Sequence, residues 1–122
     1  MLVEMLKSKI HRATVTNADL TYEGSISICP ELIIASKFLL NEKVDIYNCN
    51  NGARFSTYVI KGKKGEICLN GAAARHVQKD DIVIIVSYCL LDSKEADSHK
   101  PNVVFVNKKN KVKKIKHKEK ND

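Results

Sequence analysis

Val44-Asp45-Ile46-Tyr47-Asn48, then Asn50-Asn51-Gly52, then Arg54-Phe55-Ser56-Thr57-Tyr58-Val59-Ile60: this stretch decides the fold. The first flank alternates apolar and polar side chains imperfectly. The second is dominated by aromatic and β-branched residues, which suit a pleated, half-buried surface. Between them, Asn and Gly tolerate positive φ, so the chain can reverse direction. The stretch predicts a β-hairpin.

The same pattern continues outward. Lys61-Gly62-Lys63-Lys64-Gly65 predicts a second turn, followed by a short strand at Glu66-Ile67-Cys68-Leu69. Ile82-Val83-Ile84-Ile85-Val86-Ser87-Tyr88 is continuously apolar up to its last two residues, as expected of a strand buried on both faces. Arg12-Ala13-Thr14-Val15-Thr16 predicts an earlier strand, and Asn102-Val103-Val104-Phe105-Val106 the last. Helix is scarce. Pro30-Glu31-Leu32-Ile33-Ile34-Ala35-Ser36-Lys37 opens with proline and an acid, which suits a helix N-terminus. Short helical turns fit residues 71–76 and 93–97. Many short strands, frequent turns and little helix predict a mainly β fold, closed or nearly closed into a barrel.

A chain of 122 residues predicts one domain. Its hydrophobic fraction of 43% and charged fraction of 29% are ordinary for a globular protein. No apolar run approaches the roughly 20 residues needed to span a bilayer. The N-terminus is too short and too polar for a secretory signal, so a cytoplasmic location is expected. The net charge of +7 is uneven. Residues 108–122 hold eight lysines against Glu119 and Asp122, a local balance of +6 that leaves +1 for residues 1–107. The domain is therefore expected over 1–107, with a lysine-rich, disordered tail over 108–122. That tail could hold nucleic acid or anionic lipid only weakly, because no aromatic residue is interleaved to stack on bases. Cys29, Cys49, Cys68 and Cys89 lie about 20 residues apart with no close ligand pair. They are expected to be reduced, mostly buried thiols, with no metal site.

Three further stretches carry chemistry: residues 9–25, which contain Lys9-Ile10-His11-Arg12-Ala13-Thr14-Val15-Thr16 and Tyr22-Glu23-Gly24-Ser25; residues 51–58, Asn51-Gly52-Ala53-Arg54-Phe55-Ser56-Thr57-Tyr58; and residues 70–76, Asn70-Gly71-Ala72-Ala73-Ala74-Arg75-His76. Singly each is weak. A Gly-Ser pair is usually a loop, Arg54 alone a surface ion pair, and Tyr58 alone a packed strand aromatic. Together and in this order they resemble the aspartate 1-decarboxylase family, from Met1 to about Val106. His11 matches a family position without an assigned role. Thr21 stands where a histidine is common, and Ile26-Ser27-Ile28-Cys29 departs from the usual apolar continuation.

The resemblance implies a double-psi β-barrel, decarboxylation of L-aspartate to β-alanine and carbon dioxide, and a place in pantothenate and coenzyme A synthesis. It implies self-cleavage between Gly24 and Ser25, giving a β chain of residues 1–24 and an α chain of residues 25–122. The cofactor would be a covalent pyruvoyl group derived from Ser25, with neither pyridoxal phosphate nor metal. That carbonyl would form a Schiff base with the substrate amine and serve as an electron sink. Tyr58 would be the proton donor, although an unperturbed phenol has a pKa of about 10. Lys9 and Arg54 would hold carboxylates, since a guanidinium fork matches a carboxylate bidentately. Thr57 would touch substrate and polarise the Gly24 carbonyl. Gly71, Ala72 and Ala73 would form a close-approach wall, and Tyr22 and Asn70 would support self-processing. Glycine at position 24 would accept a strained backbone. The resemblance also implies a homotetramer with sites between neighbouring subunits, and it allows a maturation factor as a partner. The residues themselves leave two other readings open: a basic nucleic-acid-binding barrel, and a non-catalytic scaffold.

Overall fold

The computed structural model describes residues 1–118. Nine strands form one sheet: β1 (Leu2–Thr14), β2 (Asn17–Asp19), β3 (Ser25–Ile28), β4 (Lys43–Asn48), β5 (Arg54–Lys61), β6 (Ile67–Asn70), β7 (Ile82–Asp92), β8 (Asn102–Val106) and β9 (Val112–Lys116). Two short helices, α1 (Pro30–Ser36) and α2 (Ser93–Ala96), and a 3-10 helix over Gly71–His76 complete the described chain.

The expected hairpin forms between β4 and β5, which pair antiparallel with Val44 opposite Thr57 and Ile46 opposite Phe55. Gly52 takes the positive φ, at 76°. Its N–H donates to the Asn48 carbonyl at 2.9 Å, and the Asn51 side chain accepts from the Ala53 N–H at 2.8 Å. Helix α1 starts at proline, as expected, and ends where Lys37 adopts a left-handed conformation.

Across the sheet the strand order is β2-β6-β3-β5-β4-β7-β1-β8-β9. Most neighbours are antiparallel, but β1–β8, β2–β6 and β3–β5 are parallel. The two ends of this ladder are drawn together, although they do not close by strand pairing. Just after β1, the Thr16 N–H donates to the Ile67 carbonyl at 2.8 Å, and the Ile67 N–H returns a bond to the Thr16 hydroxyl at 3.0 Å. Asn110, between β8 and β9, is buried and reaches the carbonyls of Thr14 at 2.9 Å and Gly65 at 3.1 Å. The result is the expected mainly β, barrel-like fold. Its inner face buries Ile10, Ile26, Ile46, Leu69, Val83 and Ile85 completely.

Several local expectations differ. The first strand is 13 residues long, running from Leu2, because it pairs with β7 on one side and β8 on the other. The run Ile82–Tyr88 is buried on both faces only in part: Ile85, Val86 and Ser87 are buried in succession, whereas before them Ile82 and Ile84 are half-buried and after them Tyr88 is exposed. Only Cys29 and Cys68 are buried thiols; Cys49, at the turn after β4, is exposed, and Cys89, in the outer half of β7 along its length, is half-exposed. All four are free.

Disorder from Lys108 onward is also not what the structure shows. Asn107 forms a turn, its side chain accepting from the N–H groups of Lys109 at 2.8 Å and Lys111 at 3.1 Å. Asn110 takes a positive φ of 61°, and β9 then pairs antiparallel with β8. A segment too polar to fold alone needs only an existing sheet edge to become a strand. Its lysines then blunt the new edge against further pairing. The last part of the expected tail, residues 119–122, lies outside the described residues.

Candidate active site

Ser25 opens β3 and is buried. Its hydroxyl accepts a hydrogen bond from the Asn70 side-chain amide at 2.9 Å and donates to the Glu23 carbonyl at 3.1 Å. Asn70, also buried, lies directly opposite Ser25 in the β3–β6 ladder. The same amide nitrogen donates to the Ser27 hydroxyl at 3.0 Å. On the other side, the Cys68 thiol donates to the Asn70 side-chain oxygen at 3.3 Å. Burial pushes that thiol's pKa up, and the Glu66 and Asp19 carboxylates add to the effect. The sulfur therefore keeps its proton and remains a donor. The amide is thus clamped at both ends, with its N–H groups aimed at the two serines.

The loop before Ser25 is shaped by Asp19 and by a glycine. The Asp19 carboxylate accepts from the Thr21 hydroxyl at 2.8 Å and the Thr21 N–H at 3.0 Å. These bonds hold its pKa below the usual range. Gly71 has a φ of 65°. A Cβ there would fall 2.7 Å from the Gly24 Cα and 2.8 Å from the Gly24 nitrogen, and 3.1 Å from the Tyr22 carbonyl oxygen. The close approach at Gly71 is therefore to the Gly24 loop itself. Gly24 does not have a positive φ, and a Cβ on it would meet nothing within 4 Å. The strained backbone expected at Gly24 belongs instead to Gly71. Ala72 is exposed, and Ala73 packs against the core. A pocket of about 450 Å³ opens beside Asn70 and Ser27, with Tyr22, Asp19, Lys61 and Glu66 on its walls.

Strand β5 divides the remaining candidates by side-chain parity. Arg54, Ser56 and Tyr58 are exposed on the outer face; Phe55, Thr57 and Val59 alternate with them and turn inward. The parallel β3–β5 register pairs Ile26 with Val59, so Ser25 stands beside Tyr58 one step earlier. Thr57 lies opposite buried Val44, and among the described residues its hydroxyl makes no hydrogen bond to the Gly24 carbonyl. Arg54 is four residues from Tyr58, about 13 Å along an extended strand. It lies opposite Tyr47, with its guanidinium carbon 4.0 Å from that ring's centre. The Tyr47 and Tyr88 hydroxyls are 2.7 Å apart. The Tyr88 phenol is pushed up to about 12, by burial first and then by its bond to Tyr47. Lys9 sits opposite Val86 and lines a cavity of about 250 Å³ with Tyr47, Tyr88 and Ile84.

The structure therefore gathers Ser25, Gly24, Asn70, Gly71, Tyr22 and Tyr58 at one place on a single chain. Lys9 and Arg54 lie apart, several strands or residues away. Sequence reading missed Ser27, Cys68, Tyr47 and Tyr88. Ser27 and Cys68 could have been suspected from alternation alone, being two residues from Ser25 and Asn70. His76 and His99, without evident partners in the sequence, have them here. His76 stacks on Phe55 at 4.7 Å between ring centres, and the His99 ring meets the Leu6 carbonyl at 2.7 Å. Among the described residues, no three His, Cys, Asp or Glu side chains are grouped to hold a metal ion, and no helix is long and apolar enough to cross a membrane.

Comparison with known proteins adds a relationship. Residues 1–113 match the family model described as aspartate decarboxylase. An aspartate 1-decarboxylase of Bdellovibrio bacteriovorus is 76% identical over 112 residues, covering 92% of this chain and 90% of that protein. One from Caldicellulosiruptor saccharolyticus is 60% identical over 121 residues, covering 98% and 94%. One from Campylobacter concisus is 60% identical over 112 residues, covering 92% and 97%.

Proposed function

This chain belongs to the aspartate decarboxylase family, and from that premise we propose that it cuts itself between Gly24 and Ser25 and then decarboxylates L-aspartate to β-alanine. The observation that carries this reading is the buried Ser25 hydroxyl, held by Asn70 beside a Gly24 loop that fits only because Gly71 lacks a side chain.

Self-cleavage uses the chain's own atoms. The Ser25 Oγ attacks the Gly24 carbonyl carbon; the C–O bond forms as the C–N bond breaks, leaving an ester and a free amine. Loss of the Ser25 Cα proton then expels the Gly24 carboxylate and leaves a dehydroalanine at position 25. Water replaces its nitrogen, releasing ammonia and leaving a pyruvoyl carbonyl. Asn70 orients the hydroxyl for the first step, and Gly71 seats the backbone that is attacked. Thr57, on the strand beside this loop, polarises the Gly24 carbonyl once its hydroxyl turns toward it. Both pieces remain in one fold, because residues 1–24 contain β1 and β2, which are paired with β7, β8 and β6 of the second piece.

The residues present fit a pyruvoyl group at position 25. Asn70 would hold it, through a side-chain N–H already aimed at position 25, while the Ser27 hydroxyl accepts from the same amide and helps fix it. When formed, the group supplies the electron sink that decarboxylation needs and that ordinary side chains lack. Tyr58, beside Ser25 in the ladder, delivers its phenolic proton to the substrate Cα. Lys9 and Arg54 hold carboxylates, with Ala72 and Ala73 walling the site. Neither cation lies next to Ser25 of its own chain, so a substrate that meets both groups needs two copies. This supports sites shared between subunits, which we read as those of a homotetramer. In the cytoplasm the product would serve pantothenate and coenzyme A synthesis.

Ser25→Ala tests the reading. The variant should fold, remain a single uncut chain and lack decarboxylase activity. Full activity in that variant would rule out a carbonyl derived from Ser25.

A further inference from the structure

Arg54 could be tethered only by its own flexible stem, yet the structure gives its guanidinium a fixed platform. Tyr47 lies directly opposite it in the β4–β5 ladder, and the guanidinium carbon sits 4.0 Å above the ring centre. A cation at this height is attracted to the negative face of the ring. The ring is in turn tied down from β7, because its hydroxyl meets that of Tyr88 at 2.7 Å. Among the described residues Arg54 forms no ion pair with a carboxylate. Stacking uses the flat face of the guanidinium and leaves its N–H edges for a ligand.

Tyr47 and Tyr88 also line the cavity that Lys9 borders. The two phenols thus lie between the two cations to which substrate carboxylates are assigned. We propose that Tyr47 and Tyr88 act as one positioning unit for Arg54, holding its guanidinium flat so that its N–H fork meets a substrate carboxylate edge-on. This rests on the reading of Arg54 as a carboxylate clamp. The Tyr88 phenol stays protonated throughout the neutral range, so the link between the hydroxyls does not switch off at working pH. The unit does no chemistry on the reacting atoms. Its loss should weaken substrate capture and leave the turnover of bound substrate nearly intact.

The test is steady-state kinetics on self-cleaved protein, with kcat expressed per processed chain, for Tyr47→Phe, Tyr88→Phe, the double variant, Tyr47→Leu and Arg54→Lys. Each phenylalanine variant keeps its ring and loses only the hydroxyl, so folding is preserved. Each should raise KM for aspartate about 3- to 10-fold, the scale of one hydrogen bond, with kcat changed less than about 2-fold. The double variant should be no worse than either single one, since both remove the same bond. Tyr47→Leu should raise KM further by removing the stacking face. Unchanged KM in the tyrosine variants, with KM raised in Arg54→Lys, would overturn the positioning role and leave the clamp intact. Additive losses in the double variant would overturn the single-unit claim. Unchanged KM in Arg54→Lys would overturn the clamp and, with it, this proposal.

Discussion

Replacing Gly71 by alanine would put a carbon 2.7 Å from the Gly24 Cα, against backbone that cannot rotate away. It would also force a side chain into a φ of 65°. Positions of this kind typically store about 1–3 kcal/mol. Gly71→Ala should therefore lower stability by about that much and slow self-cleavage, as seen by denaturant unfolding and by the fraction of intact chain over time. Unchanged cleavage would mean that the Gly24 loop does not depend on this cradle. The sequence named Gly71 through its motif but assigned the close approach to substrate. The contact with Gly24 spans 47 positions and depends on how β6 meets the loop before β3, which no local pattern encodes. Tyr47 and Tyr88 were hidden for the same reason. Each reads as an ordinary strand aromatic until the register of β4 and β7 brings their hydroxyls together.

At the scale of elements, the β4–β5 hairpin was legible because its information is local: two apolar flanks and a glycine that takes positive φ. Strand β2 has three residues and β3 has four, too short for any period to show. Strand β9 was hidden for another reason. Val112-Lys113-Lys114-Ile115-Lys116 looks like solvated tail by composition, and only the edge of β8 makes it a strand. The residue that fixes this end of the barrel is Asn110, which accepts from the Thr14 N–H at 2.7 Å and donates to two carbonyls. Asn110→Ala would take the partner from these half-buried backbone groups, at about 1–3 kcal/mol for such a loss. The expected outcome is a matching drop in unfolding free energy, measured by denaturant titration. A drop below about 0.5 kcal/mol would show that the clasp contributes little.

At the scale of the whole molecule, Ser25 and Tyr58 stand together while Arg54 and Lys9 lie elsewhere on the sheet. A site shared between copies explains that separation. Co-refolding Ser25→Ala chains with Arg54→Ala chains, each inactive alone, should then restore activity. In an even random mixture about a quarter of the sites would combine intact Ser25 with intact Arg54. A mixture as inactive as its parts would place both residues in the site of one chain. All of this depends on the chain rebuilding its own backbone at Ser25. Denaturing mass spectrometry of the mature, active protein tests that most directly. It should find two pieces, residues 1–24 and residues 25–122, the larger beginning with a carbonyl group in place of an amine. Full decarboxylase activity from a preparation containing only the unbroken chain would contradict it.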